Sequence, residues 1–226
     1  MNPFDAKLER ESWQAQSAHP PSNVEMEALE SDLRLWVPRS PDIFKGKRIL
    51  DLGAGRAPFG VLAAKRFAPA MVVSTDIGLH RLRGASGFNR DLPALNLVCG
   101  DVFRLPFEDA SFDLIIANSF LHHLPQLNEA VKELTRVLRP GGYYFGREPN
   151  FNNPVVRAYV FGIKGTPLRR RPGISANEYP LRARQIRHTF QFAGCTCDLQ
   201  YFWRRWKRLR NSVLSIAISV QCRRPE

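Results

Sequence analysis

The sequence predicts an α/β protein built on a parallel sheet with helices on both faces, closed by an antiparallel hairpin. Three observations lead there. Short apolar runs ending in acid, glycine or asparagine alternate with helical stretches from residue 47 to residue 148. Such alternation marks successive strand–helix–strand units. Apolar residues make up 44% of the 226 residues and charged ones 24%, the composition of one globular domain with a real core. The last two strands are separated by about eight residues, too few for a parallel crossover, so they must be antiparallel neighbours.

The elements follow in order. Residues 1–44 read as one or two helices broken at His19-Pro20-Pro21-Ser22. From Asn23 to Trp36, Val24, Leu29, Leu33 and Trp36 recur near helical spacing, and Pro38 and Pro41 end the helix. Strands are expected at Lys47–Leu52, Met71–Asp76, Leu95–Asp101, Phe112–Asn118 and Tyr143–Glu148, with helices at Phe59–Phe67 and Leu127–Leu138. The second of these helices puts Ala130, Leu134, Val137 and Leu138 on one face, and Pro140-Gly141-Gly142 stops it. Residues 150–180 are rich in Asn, Pro, Gly and Arg and read as an irregular excursion with one short helix. Ala183–Ala193 is helical again. Asp198–Trp203 and Ser212–Gln221 are the final strands, the last with Leu214, Ile216, Ile218 and Val220 on its more apolar face.

Composition excludes several classes. Gly and Pro show no repeat, which removes collagen-like and solenoid readings. No apolar run of about 18 residues is present to span a membrane, and no apolar leader follows Met1. Four cysteines, with Cys195 and Cys197 close together, suggest no disulfide framework and a reducing cytoplasm; the close pair reads as two residues on one strand face. No His, Cys and carboxylate cluster has metal spacing. Residues 1–150 hold 18 Lys+Arg and 18 Asp+Glu, whereas residues 151–226 hold 15 and 3, so the whole net charge of +12 lies in the last third. That third suits an anionic lipid surface, a phosphate-bearing substrate near Arg169, Arg170 and Arg171, or RNA through Trp203, Trp206 and their basic neighbours. A solvated basic surface is the plainer alternative.

The chemistry-bearing motif opens at Asp51-Leu52-Gly53-Ala54-Gly55. A strand ending in Gly-x-Gly leaves bare backbone at its carboxyl edge, where a ligand can touch the main chain. The dinucleotide pattern Gly-x-Gly-x-x-Gly needs a third glycine where Pro58 stands, and Pro58 removes a helix-start amide, so a nicotinamide site is disfavoured. Asp76 ends the second strand, 21 residues after Gly55, where an acid can accept from two ribose hydroxyls or cap the next helix. Asp101 ends the third strand, placed to accept from an exocyclic amine, with Val102 or Phe103 flanking a ring. Three acids at three successive strand ends beside a glycine turn point to a nucleoside ligand.

These motifs, with GDVFRLPFEDASFDLIIANSFLHHL and LTRVLRPGGYY, resemble the class I S-adenosylmethionine-dependent methyltransferases, nearest to the ubiquinone and menaquinone C-methyltransferase branch. The resemblance covers residues 46–148. It implies a three-layer, Rossmann-like sheet of seven strands in the order 3-2-1-4-5-7-6 with the last strand antiparallel. It also implies S-adenosylmethionine as cofactor; residues 1–45, as a helical lid, and residues 150–180, as a substrate cap, are then expected to close over the substrate. Carried over, Gly53, Ala54 and Gly55 pack on the cofactor's methionine part and Asp51 lies near its ammonium. Asp76 takes the ribose hydroxyls with Ile77 beside the adenine, Asp101 takes the adenine amine, and Val102 supplies a backbone contact. Asn118 and Ser119 line the methyl-donor end. Arg56 departs from the small residue usual after the second glycine. The absence of prolines after Asn118 argues against flat nucleobase amines as acceptors.

The reaction implied is methyl transfer to oxygen or carbon of a small acceptor, lipid-like or glycosylated. His122, His123 and Glu148, at the carboxyl ends of strands four and five, are the candidates for moving an acceptor proton. Each has a structural alternative: helix packing for the histidines, an ion pair with an arginine for Glu148. Two rival readings are an RNA methyltransferase using the basic third, and a non-catalytic binding module on the same fold.

Overall fold

The computed structural model describes residues 19–38, 40–88, 90–164, 179–202 and 214–226, without the side chains of 160–164. Any helix before His19, Arg169–Arg171 and the basic stretch Arg204–Arg210 lie outside the described residues. Helix α1 (Asn23–Trp36) starts where Ser22 and Glu25 form a reciprocal capping box, each side chain bonding the other's amide. Its buried face runs through Met26, Leu33 and Trp36. Val24, read with that face from the sequence, is exposed, because nine residues before Leu33 is two and a half helical turns and puts it on the opposite side.

Strand β1 (Arg48–Leu52) leads into α2 (Pro58–Arg66), β2 (Met71–Asp76), the short α3 (Leu79–Leu82) and β3 (Leu95–Cys99). Then come β4 (Phe112–Asn118), α4 (Leu127–Val137), β5 (Leu138–Pro149), α5 (Pro154–Lys164), α6 (Ala183–Phe192), β6 (Thr196–Phe202) and β7 (Ala217–Arg223). The seven strands form one sheet in the order β3-β2-β1-β4-β5-β7-β6. Strands β1 to β5 are parallel, and β7 inserts antiparallel between β5 and β6.

Alternate residues feed two cores. Leu50, Leu52, Ile115 and Ala117 face one layer with Leu134, Ile186 and Phe190. Ile49, Val72, Leu114 and Ile116 face the other with Leu33, Phe59 and Leu62. Burial on both faces explains the near-continuous apolar runs of the central strands. In β7, Ile218 and Val220 of the predicted apolar face are buried, whereas Leu214 and Ile216, expected on the same face, precede the strand, which begins at Ala217, and are exposed.

Strand β5 begins five residues before the expected Tyr143. Pro140-Gly141-Gly142 ends α4 as predicted but is drawn into the strand. The Gly141 amide bonds the Arg224 carbonyl and the Arg224 amide bonds the Gly142 carbonyl, so the chain terminus supplies the ladder there.

The cysteine expectation is corrected. Cys197 of β6 and Cys222 of β7 are directly opposed in register and form a disulfide, while Cys99 and Cys195 are free thiols. The residues are 25 apart, and only the β6–β7 register, invisible to periodicity, brings them together. Closing a loop of that length stabilises the fold by about 3 kcal/mol, and such bonds are uncommon in reducing compartments. Cys195 and Cys197 do share one face, as expected, both joining the same apolar cluster. Among the described residues no helix is long and apolar enough to cross a membrane.

Candidate cofactor and active site

Parallel pairing aligns the carboxyl ends of β3, β2, β1 and β4, and the candidate ligand residues gather along that edge. After Leu52 the chain turns through Gly53 (φ 63°) and Gly55 (φ 56°), in the left-handed region that glycine occupies at least cost. Packing requires glycine at Gly53 as well, whereas at Gly55 the nearest atoms are the movable end of Arg81. A Cβ on Gly53 would lie 2.3 Å from the Phe120 ring, and one on Gly55 would lie 2.5 Å from the Arg81 guanidinium. The turn is pinned to β2, with the Ala54 amide donating to the Thr75 carbonyl (2.9 Å) and the Gly55 amide to Asp76 Oδ2 (2.8 Å). Pro58 opens α2, so that helix start lacks an amide where a pyrophosphate would want one.

The three acids are unlike one another. Asp51 is buried and accepts from the Ser74 hydroxyl at 2.8 Å. Burial pushes its carboxyl up to about 7; the Ser74 and Gly60 bonds oppose the shift, and the neighbouring Asp76 charge adds to it. Asp76 accepts from Gly55 on Oδ2 and from Gly78 on Oδ1, both at 2.8 Å, with Arg81 3.8 Å away. It therefore caps the turn before α3 and braces the glycine turn at once. A carboxylate offers about four acceptor positions, so two remain for ribose hydroxyls. Asp101 lies beyond β3 and accepts from the Phe103 amide (3.0 Å) on Oδ1. Val102 beside it is buried and Ile77 half-buried. Asn118 ends β4 in the open and accepts a long bond from Arg147 (3.4 Å). Ser119 takes a positive φ of 56° while its amide bonds the Arg147 carbonyl at 2.6 Å.

A cavity of about 400 Å³ opens over this edge. Its floor includes Asp51, Gly53 and Asn118, and its roof is α1, which contributes Glu25, Asp32 and Trp36. The volume falls in the usual range of small-molecule sites. Asp76 and Asp101 lie outside this lining, one and two strands along the edge.

Sequence reasoning did not find what fastens α1 to the glycine turn. Arg56 bonds the Glu25 carboxylate and donates to the His19 carbonyl at 3.0 Å. Glu25 thus serves both the helix cap and the cofactor turn, and the Ser22 amide, followed by Arg56, holds its carboxyl below the usual range. The one available signal was the unusual cation after the second glycine. Arg81 and Ser74 were also missed. Ser74, a polar residue inside the apolar run of β2, was legible; Arg81 was not.

The three proton-transfer candidates come together, enclosed. Exposure is 1% for Glu148, 3% for His122 and 8% for His123. Glu148 Oε1 accepts from the Leu121 amide (2.9 Å) and the Phe120 amide (3.1 Å), and His122 Nδ1 lies 2.6 Å from Oε2. The two histidine rings are 4.0 Å apart, and the Tyr179 amide donates to the His122 carbonyl at 2.7 Å. Glu148 thereby organises the turn over Leu121–His123 that aims Phe120 at Gly53. Where the sequence offered an ion pair with an arginine as the alternative role, Glu148 Oε2 lies beside His122 Nδ1.

Comparison with known proteins agrees with this geometry. A methyltransferase domain family matches residues 50–146. The phthiotriol/phenolphthiotriol dimycocerosates methyltransferase of Mycobacterium tuberculosis is 32% identical over 124 residues, 55% of this chain and 45% of that protein. The demethylmenaquinone methyltransferase of Corynebacterium urealyticum is 31% identical over 145 residues, 63% of this chain and 59% of that protein. The chain thus spans about half the length of these relatives. A chain from the Haloferax volcanii complex of the Trm112 methyltransferase activator with a methyltransferase superposes with a TM-score of 0.73 at 16% identity, covering 98% of both chains, which shows a shared fold. The domain match over residues 50–146 and the strand order agree: this part of the chain is similar to the methyltransferase domain family and carries the sheet that the class I resemblance implied.

Proposed function

We propose that the chain transfers a methyl group from S-adenosylmethionine to an oxygen or carbon of a small acceptor, lipid-like or glycosylated, admitted through the cavity beneath α1. One observation carries the reading: the glycine turn is braced from β2 by Asp76 and, with the buried Asp51, lines a cavity of about 400 Å³ beneath α1. The donor set fits the cofactor. Asp51 would face its ammonium, Gly53–Gly55 its methionine part, Asp76 the ribose, Ile77 and Val102 the adenine ring, Asp101 the adenine amine, and Asn118 and Ser119 the donor end. When bound, the cofactor supplies a methyl group on a positively charged sulfur, which leaves as a neutral thioether. What the protein adds is alignment and exclusion of water. Residues 1–45 act as the lid, held at α1 by Arg56, and residues 150–180 act as the substrate cap.

We assign Glu148 and His122 to positioning, because both are committed to the turn that carries Phe120. His123, the most exposed of the three, is the remaining candidate to accept an acceptor's proton. The relatives' names support a small-molecule acceptor over RNA.

Calorimetry with S-adenosylmethionine tests the reading, with binding expected; no heat from a folded chain would overturn it. Binding should also depend on pH through Asp51. Its carboxyl titrates near 7 when folded, above its unfolded value of 3.8, so the folded chain holds the extra proton. Without ligand, that term weakens the fold as pH rises from 4 towards 7. An ammonium beside Asp51 favours the charged form, so binding releases a proton below neutrality. Affinity should fall about tenfold per pH unit below neutrality and level off above it. Asp51→Asn should flatten that profile, and heats measured in buffers of different ionisation enthalpy would count the proton.

A further inference from the structure

We propose that the face formed by α5 and residues 214–216 docks on a bilayer that carries anionic lipid. Helix α5 has the sequence PVVRAYVFGIK, which contains two cations and no acid. A helix this apolar is ordinarily buried in a core. Here its described side chains lie largely in solvent, with Val155 72% and Tyr159 54% exposed and Ala158 exposed between them. Leu214 and Ile216, also exposed, belong to the same surface, because the buried asparagines before α5 stitch the two segments together. Asn153 Nδ2 donates to the Leu214 carbonyl at 2.6 Å, while its Oδ1 accepts from the Val155 amide at 2.8 Å and so caps α5. Asn150 Nδ2 donates to the Ser215 carbonyl at 2.6 Å, and its own amide donates to the Ile216 carbonyl at 3.0 Å. Four exposed apolar side chains are thus carried on two segments fixed to each other by buried amides. The patch is a built feature of the fold.

Charge selects the occupant. The 76 residues from 151 to 226 hold 15 Lys+Arg against Glu178, Asp198 and Glu226. Arg157 stands on α5 itself, beside an open groove it shares with Pro154, Ala158 and Pro180. Exposed apolar and aromatic side chains with cations and without acids are the make-up of an interfacial helix, whose rings sit at headgroup depth while its cations meet lipid phosphates. An apolar face gives RNA little to stack on, since only Tyr159 among the described exposed residues of the patch is aromatic.

Location gives the docking a use. Pro149 pairs with Ala217, so α5 and residues 214–216 follow the carboxyl edge of β5, the edge that carries the glycine turn and its cavity. A membrane on this face would bring a poorly soluble acceptor to the site without passage through water. Docking itself requires no methyl transfer, so its test stands if the proposed activity fails.

The full chain is sedimented with vesicles of phosphatidylcholine alone and of equal parts phosphatidylcholine and phosphatidylglycerol, without cofactor. Binding is expected only to the mixed vesicles, falling as salt is raised. Val155→Asp together with Tyr159→Asp should weaken it about tenfold while leaving the melting curve unchanged. Failure to bind the mixed vesicles overturns the proposal. So does vesicle binding that the double variant leaves intact, a self-association that this variant dissolves in its place, or a loss of polyuridylate binding without any vesicle binding.

Discussion

Asp76→Ala should remove measurable cofactor binding. The side chain does two jobs in one place, and the substitution ends both. It accepts the Gly55 and Gly78 amides at 2.8 Å each, which fixes the glycine turn against β2. Its two remaining acceptor positions are those proposed to take the ribose hydroxyls. Hydrogen bonds to a charged group contribute about 1.5–3 kcal/mol each, so losing the ribose pair alone should weaken binding by a factor of about 100 or more. Release of the Gly55 amide adds disorder exactly where the ligand's amino-acid end would lie, and leaves Arg81 without the carboxylate 3.8 Å away. The melting temperature should fall too, by an amount corresponding to about 2 kcal/mol. Asp76→Asn separates the jobs. Its single carbonyl oxygen can still take one amide, so stability should recover more than affinity does. Calorimetry and thermal melts on both variants give the answer, and an unchanged affinity in Asp76→Ala would remove the ribose assignment.

The features read well from the sequence share a physical reason. The strands and their parallel pairing were legible because each central strand is buried on both faces and must be apolar throughout, as Leu114, Ile115 and Ile116 are; their order came only with the family resemblance. The glycine turn was legible because Gly53 and Gly55 both take a positive φ, and Gly53 is required by packing against Phe120 as well. What escaped was set by register and by long side chains. The Cys197–Cys222 bond depends on which residues of β6 and β7 oppose one another, and a period-2 pattern fixes the face but not the pairing. Arg56 reaches Glu25 across 31 residues, and His122 meets Glu148 across 26, through contacts between elements that no local pattern encodes. The limits of α1, Asn23 to Trp36, were read correctly, and so were Leu33 and Trp36 of its buried face; Met26 takes the place on it that was given to Val24.

Glu148→Ala should cost the fold more than any other single change at the site, about 3–5 kcal/mol. The carboxylate is enclosed, and its removal takes the acceptor from the Phe120 and Leu121 amides and the partner from His122 Nδ1. Unsatisfied buried donors are penalised in full, whereas the bonds they replace contribute only a net fraction. The turn over Leu121–His123 would loosen, and with it the ring of Phe120 that fills the space above Gly53. Cofactor affinity should therefore fall even though Glu148 lies outside the cavity lining. Glu148→Gln decides between positioning and proton transfer. Its amide oxygen can keep the Leu121 bond and its nitrogen can donate to a neutral imidazole, so the turn should survive with a loss of about 1–2 kcal/mol. If Glu148 only positions the turn, that variant keeps its turnover and its pH profile, and His122→Ala reproduces the weaker affinity of Glu148→Ala. If Glu148 takes the acceptor's proton, Glu148→Gln loses turnover while its cofactor affinity stays intact. The two enclosed oxygens, each already engaged by the protein's own donors, argue for the first result.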